Sequence, residues 1–68
     1  MKLGDIVHIM QPWTRLKISG ENQVDSQGNR LWTATLTEAQ KYAYWNRAVI
    51  NHIIDEKTLT IYCIIKGD

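Results

Sequence analysis

Ala48-Val49-Ile50-Asn51-His52-Ile53-Ile54 and Leu59-Thr60-Ile61-Tyr62-Cys63-Ile64-Ile65 are two runs rich in β-branched residues, separated by Asp55-Glu56-Lys57-Thr58. Such runs suit a pleated, half-buried backbone, and a short polar break between them reads as a hairpin turn. Pairing Ile54 with Leu59 fixes both faces, because side chains alternate with period two. Ile50, His52, Ile54, Leu59, Ile61, Cys63 and Ile65 then share one face, which is nearly all apolar and should meet the helices. Val49, Asn51, Ile53, Thr60, Tyr62 and Ile64 share the other, which is too apolar for full solvation.

Upstream of the hairpin, Thr37-Glu38-Ala39-Gln40 is a capping box that opens a short helix running to about Trp45. Ala39, Tyr42 and Ala43 make its expected inner face. Residues 31–36, Leu-Trp-Thr-Ala-Thr-Leu, read as a strand, as does Thr14-Arg15-Leu16-Lys17-Ile18-Ser19. The polar stretch between them, with Ser26-Gln27-Gly28-Asn29 as its tight turn, makes the two a candidate hairpin. Leu3, Ile6, Val7 and Met10 follow helical spacing, and Pro12 stops that helix near Met10. The alternative for Gly4-Asp5-Ile6-Val7-His8-Ile9 is the first strand of a small SH3-like β-barrel. The helical reading gives an α+β domain of two layers: helix, two strands, helix, two strands, with an antiparallel sheet.

At 68 residues, 44% hydrophobic and 22% charged, residues 1–68 read as one domain rather than a disordered tail. A core this small supplies little stability alone, so self-association is a natural supplement. Eight basic and seven acidic side chains leave a net charge of +1. That speaks against a phosphate-neutralising arm, against an acidic DNA mimic and against duplex DNA as partner. One cysteine, Cys63, permits no intramolecular disulfide and no thiolate cluster. The longest strongly apolar run, residues 61–65, is far short of the roughly 20 residues that span a bilayer. Asp5 and His8 interrupt the N-terminal apolar stretch, so no signal peptide is read there and a cytoplasmic protein is expected.

The catalytic inventory is poor, and no enzyme, cofactor or metal is expected. His52 reads as a core or edge histidine, and His8 as an exposed or interfacial one. Cys63 sits between isoleucines, which suits packing rather than a reactive thiolate. Asp5 and His8 could reach one ion at i, i+3, but two ligands do not make a site. The four glycines are scattered and form no phosphate loop.

Aromatic and basic residues stand above that background. Trp13, Trp32 and Trp45 occur with Tyr42, Tyr44 and Tyr62, and Arg15, Arg30 and Arg47 lie near tryptophan in sequence. In a chain without Phe, Trp32 and Tyr42 read as core filling. Tyr44, Trp45 and Arg47, with Trp13 second, read as a partner-binding surface, since Tyr, Trp and Arg dominate interface anchors. The same rings could instead stack on a nucleotide or single-stranded nucleic acid. Val49, Ile53, Tyr62 and Ile64 on the second hairpin face, beside an unblunted outer strand at residues 59–65, point to a homodimer.

Leu3-x-x-Ile6-Val7-x-Ile9-Met10, then Gln11-Pro12-Trp13-Thr14-Arg15-Leu16-Lys17-Ile18, then Ala48-Val49-Ile50-Asn51-His52-Ile53 and Leu59-Thr60-Ile61-Tyr62 together resemble the small accessory proteins of phages and mobile elements in Gram-positive bacteria. The resemblance covers most of the chain, and that family carries no catalytic motif. It implies a protein that acts in the host cytoplasm by binding, as an inhibitor of a defence complex such as a CRISPR nuclease, or by sequestering a nucleotide.

Overall fold

Helix α1, Leu3–Ile9, forms where the apolar spacing places it. The Asp5 carboxylate accepts the Lys2 N–H at 2.9 Å, which satisfies one of the donors a helix start leaves open. The helix turns its buried Leu3 and Ile6 inward, with Val7 and Met10 half-buried beside them. Pro12 then sits in a turn closed by the Thr14 N–H donating to the Gln11 carbonyl at 3.0 Å. These features come from a computed structural model that describes residues 1–67. The chain continues through strand β1 (Arg15–Gly20), helix α2 (Glu38–Ala43), strand β2 (Val49–Asp55) and strand β3 (Thr60–Ile65).

The fold is a small α+β domain, and its open three-stranded sheet is no barrel. The sheet is mixed rather than antiparallel: its order is β1-β3-β2, with β1 parallel to β3 and β2 antiparallel to it. Leu16 lies opposite Ile61 and Ile18 opposite Cys63, so these four share a face. With Ile65, Leu36 and the α1 residues Leu3 and Ile6 they make the buried core. Residues 59–65 therefore do not supply an outer strand. Most of that stretch is the central strand, and β2 is the edge.

Residues 31–36 do not form the expected strand. They run along the outer edge of β1 with contacts three residues apart. The Thr33 N–H donates to the Ile18 carbonyl at 2.9 Å, and the Leu36 N–H to the Leu16 carbonyl at 2.8 Å. The Thr33 hydroxyl accepts the Ile18 N–H at 3.1 Å, so a side chain takes the place of a ladder carbonyl. Crossing that edge puts Leu36 in the core and Trp32 on the opposite face, against Tyr62.

The loop before it closes as its residues predict. The Asp25 carboxylate accepts the N–H groups of Gln27 and Asn29 at 2.8 and 2.9 Å, and Gly28 takes φ 83°. Those donors, the Asn29 amide foremost, hold the Asp25 carboxyl below its ordinary pKa.

Helix α2 starts on the expected capping box. The Thr37 hydroxyl accepts the Gln40 N–H at 3.2 Å, and the Gln40 side chain accepts the Thr37 N–H at 2.9 Å. It is shorter than its sequence suggests and buries no residue. Ala39 and Ala43 are exposed, and Tyr42 is 71% exposed. Less than two turns long, the helix cannot lay down an inner face, and the inward contact passes to Leu36 and Tyr44 on either side.

In the hairpin the register shifts by two. Ile54 lies opposite Ile61, not Leu59, and Asp55 opposite Thr60. Asp55 is the cause: its carboxylate accepts the Lys57 and Thr58 N–H groups at 3.0 and 3.4 Å and draws Leu59 into the turn at φ 52°. A shift of two keeps parity, so the pairs Ile54–Ile61, His52–Cys63 and Ile53–Tyr62 retain their expected faces. An irregularity between Val49 and Asn51 breaks the parity at the strand's start. It sets Val49 opposite Ile65 and against the core, off the second face.

Leu59 in the left-handed region makes the register testable. A branched Cβ tolerates that backbone poorly whereas asparagine tolerates it, a difference of about 1–2 kcal/mol. Leu59→Val should therefore unfold at lower denaturant concentration than Leu59→Asn, although valine is the more apolar. The reverse order would restore residue 59 to the strand.

Candidate functional site

Two surfaces carry the aromatic and basic residues. The first surrounds the start of α1, whose leading amides are bonded by the segment after α2. The Leu3 N–H donates to the Arg47 carbonyl at 3.0 Å, and the Gly4 N–H to the Trp45 carbonyl at 2.9 Å. The Trp45 indole lies directly on Gly4, where a Cβ would come within 2.5 Å of its Cε2 and 2.8 Å of its Cδ1. Tyr42 stacks on Trp45 with centroids 5.7 Å apart, and His8 meets the same ring edge-on at 5.4 Å. Tyr44 is half-buried against the core, with the Arg47 guanidinium 5.9 Å from its ring centre. Arg47 also donates from Nη2 to the Lys66 carbonyl at 3.2 Å.

The structure thus brings Tyr44, Trp45 and Arg47 together, but as the joint between α1 and the rest of the chain. Much of the Trp45 surface is already covered by Gly4, His8 and Tyr42. Trp13 stands apart from these contacts in the turn before β1, 62% exposed.

The second surface lies on the hairpin. Trp32 meets Tyr62 edge-on at 4.9 Å. Together with Ile53, Ile54, Asp55, Glu56 and Lys57 they line an open concavity of about 670 Å³. Its lining is aromatic and aliphatic, with two carboxylates against one ammonium. Of the residues expected on a self-association face, Ile53 is 55% exposed, Tyr62 is packed on Trp32, Ile64 is half-buried and Val49 faces the core.

The sequence reading missed Trp32 as a surface residue and missed Ile50 and Ile54, which are 51% and 57% exposed. The run of isoleucines was a signal for either burial or interface. Only the placement of β2 at the sheet edge tells which.

Cys63 is buried between β1 and β2, and burial pushes its thiol up to about 11. Among the described residues no three His, Cys, Asp or Glu side chains gather as metal ligands. No helix there is long and apolar enough to cross a membrane. No family model, curated protein or solved structure matches the chain.

Two outcomes follow from these contacts. Gly4→Ala should cost about 1–3 kcal/mol by overpacking, despite the better helix propensity of alanine. In the background of Trp45→Ala that cost should vanish, as a double-mutant cycle by chemical denaturation would record; an additive cycle would contradict the contact. Cys63 should resist a thiol reagent at pH 8 in the folded protein and react once denaturant is added. Rapid native labelling would contradict its burial.

Proposed function

We propose that this protein is a non-enzymatic binding protein that acts by protein–protein contact through the hairpin concavity. The observation that carries this reading is the shared lining of Trp32, Tyr62 and Ile53 with the carboxylates of Asp55 and Glu56. Flat aromatic and aliphatic groups supply desolvated area, and a lining with excess negative charge selects a cationic neighbour. The fitting occupant is a basic side chain of a partner, flanked by apolar residues. A lysine or arginine there can lie over a ring face and meet a carboxylate at once.

The finer reading, an antagonist of a bacterial defence nuclease complex acting in the host cytoplasm, draws on the resemblance to phage accessory proteins. Surfaces that hold nucleic acid are rich in Lys and Arg, the chemistry an acidic lining would meet. The Tyr44, Trp45 and Arg47 cluster contributes by fixing α1, and Trp13 and Tyr42 are the exposed rings. Nucleotide or single-strand stacking is the second reading. It is favoured by the exposed Trp13 and Tyr42, while the contacts on Trp45 leave less of that ring for a base and the carboxylates of the concavity repel phosphate.

A photo-crosslinking side chain in place of Ile53, irradiated in bacterial cytosol, should give an adduct containing peptides of one other protein. Glu56→Lys should remove it, and the same group in place of Gln27 should give none. If position 53 yields no foreign adduct while mononucleotides or oligonucleotides quench tryptophan fluorescence, the stacking reading replaces this one.

A further inference from the structure

Strand β2 is exposed along both faces, with only its first and last residues half-buried. Ile50, Ile53 and Ile54 are each more than half exposed. β3 pairs with one edge of β2; the other carries no strand, and only its start is taken, by the Val49 N–H donating to the Met1 carbonyl at 2.7 Å. A strand that buries neither face nor its outer edge gains little by pairing with a single neighbour. Natural edges are blunted by charge or proline, and residues 49–54 contain neither.

The backbone parity of that edge is readable. The His52 N–H donates to the Asn51 side-chain oxygen at 2.9 Å instead of to β3. In an antiparallel pair alternate residues turn their N–H and C=O groups to opposite sides, so His52 and Ile54 direct theirs outward.

We infer that β2 pairs antiparallel with β2 of a second copy of this chain, about a two-fold axis at His52, joining two sheets into one of six strands. Self-complementarity selects this occupant and this register. With His52 opposite itself, Ile50 meets Ile54 and Asn51 meets Ile53, so the apolar residues of each copy face the apolar stretch of the other. This register also holds the two Asp55 positions six residues apart along the strands, about 20 Å at 3.3 Å per residue. Centring on Ile54 instead would bring them within about 7 Å, and centring on Ile53 would set Ile50 against Glu56.

The bond from Asn51 to His52 joins exposed neighbours and is exchanged for one to the second copy, so no donor is lost. The pairing covers the two strand edges and part of three half-exposed isoleucines from each copy, an interface at the weak, reversible end of the size range. A net charge of +1 sets little repulsion against the approach of an identical chain.

The pairing takes the edge of β2, which borders the concavity proposed above at Ile53 and Ile54, and leaves the Trp32–Tyr62 side of that concavity to a partner. A two-fold perpendicular to the sheet puts the two concavities on the same side, where they would engage a partner bivalently.

Sedimentation equilibrium of the full chain over roughly a hundredfold concentration range should give the mass of two chains, dissociating at the dilute end. A single-chain mass throughout overturns the inference. His52→Pro removes an outward N–H while sparing the ladder to β3, and Ile54→Lys places charge opposite the apolar stretch. Each should give a folded monomer by circular dichroism, whereas Ile9→Lys, on an exposed α1 position, should leave the dimer intact. A dimer that survives both edge variants lies elsewhere and also overturns it. With Cys63→Ala to remove the competing thiol, Asn51→Cys combined with Ile53→Cys should cross-link to a covalent dimer under mild oxidation, since the register sets these two opposite each other in a non-hydrogen-bonded pair, where antiparallel side chains lie closest. Absence of that cross-link from a dimeric sample would reject the register.

Discussion

β3 is hydrogen-bonded on both sides, by β1 in parallel and by β2 in antiparallel, and every other placement in the molecule follows from that. Having a neighbour on each edge buries Ile61, Cys63 and Ile65 beneath Leu3 and Ile6 of α1. It also sends β2 outward, away from the helix. A chain of this length cannot cover three strands with a single seven-residue helix. The central strand and β1 receive the cover, and both faces of β2 are left exposed.

The second dependence is at the start of α1. Its leading amides are satisfied by carbonyls of residues 45 and 47 rather than by water, and the Trp45 ring sits where a side chain at position 4 would be. Val49 continues the same seam by donating its N–H to the Met1 carbonyl at 2.7 Å. The aromatic cluster after α2 therefore does structural work that its composition does not announce. Tyr, Trp and Arg together suit an interface, but here their neighbours are the protein's own helix. Exposed apolar area and acidic side chains coincide instead on the hairpin.

Much of this was legible in residue order. The period of Leu3, Ile6, Val7 and Met10, the stop at Pro12, the Thr37–Gln40 box and the turn at Gly28 all depend on neighbours a few residues away. Each appears where local chemistry puts it. What local chemistry could not supply was the long-range choice of neighbour for β1. Two β-rich stretches around a polar loop imply a hairpin, yet β1 bonds to β3 some 45 residues on. Thr33 and Leu36 only line its far edge. The hairpin register turned on one carboxylate, because Asp55 bonding Lys57 and Thr58 lengthened the turn through Leu59. The start of β2 was unreadable for a similar reason, since an irregularity of one residue turns Val49 against the core.

The core, the hairpin surface and the exposed β2 edge all depend on β3 being the central strand. Backbone amide hydrogen exchange, followed residue by residue by NMR, tests this most directly. A central strand donates to a neighbour on either side, so consecutive amides from Ile61 to Ile65 should all exchange slowly. An alternation of slow and fast amides along that stretch would mean that β3 has one free edge. The parallel pairing with β1, and the open edge of β2 with it, would then be wrong.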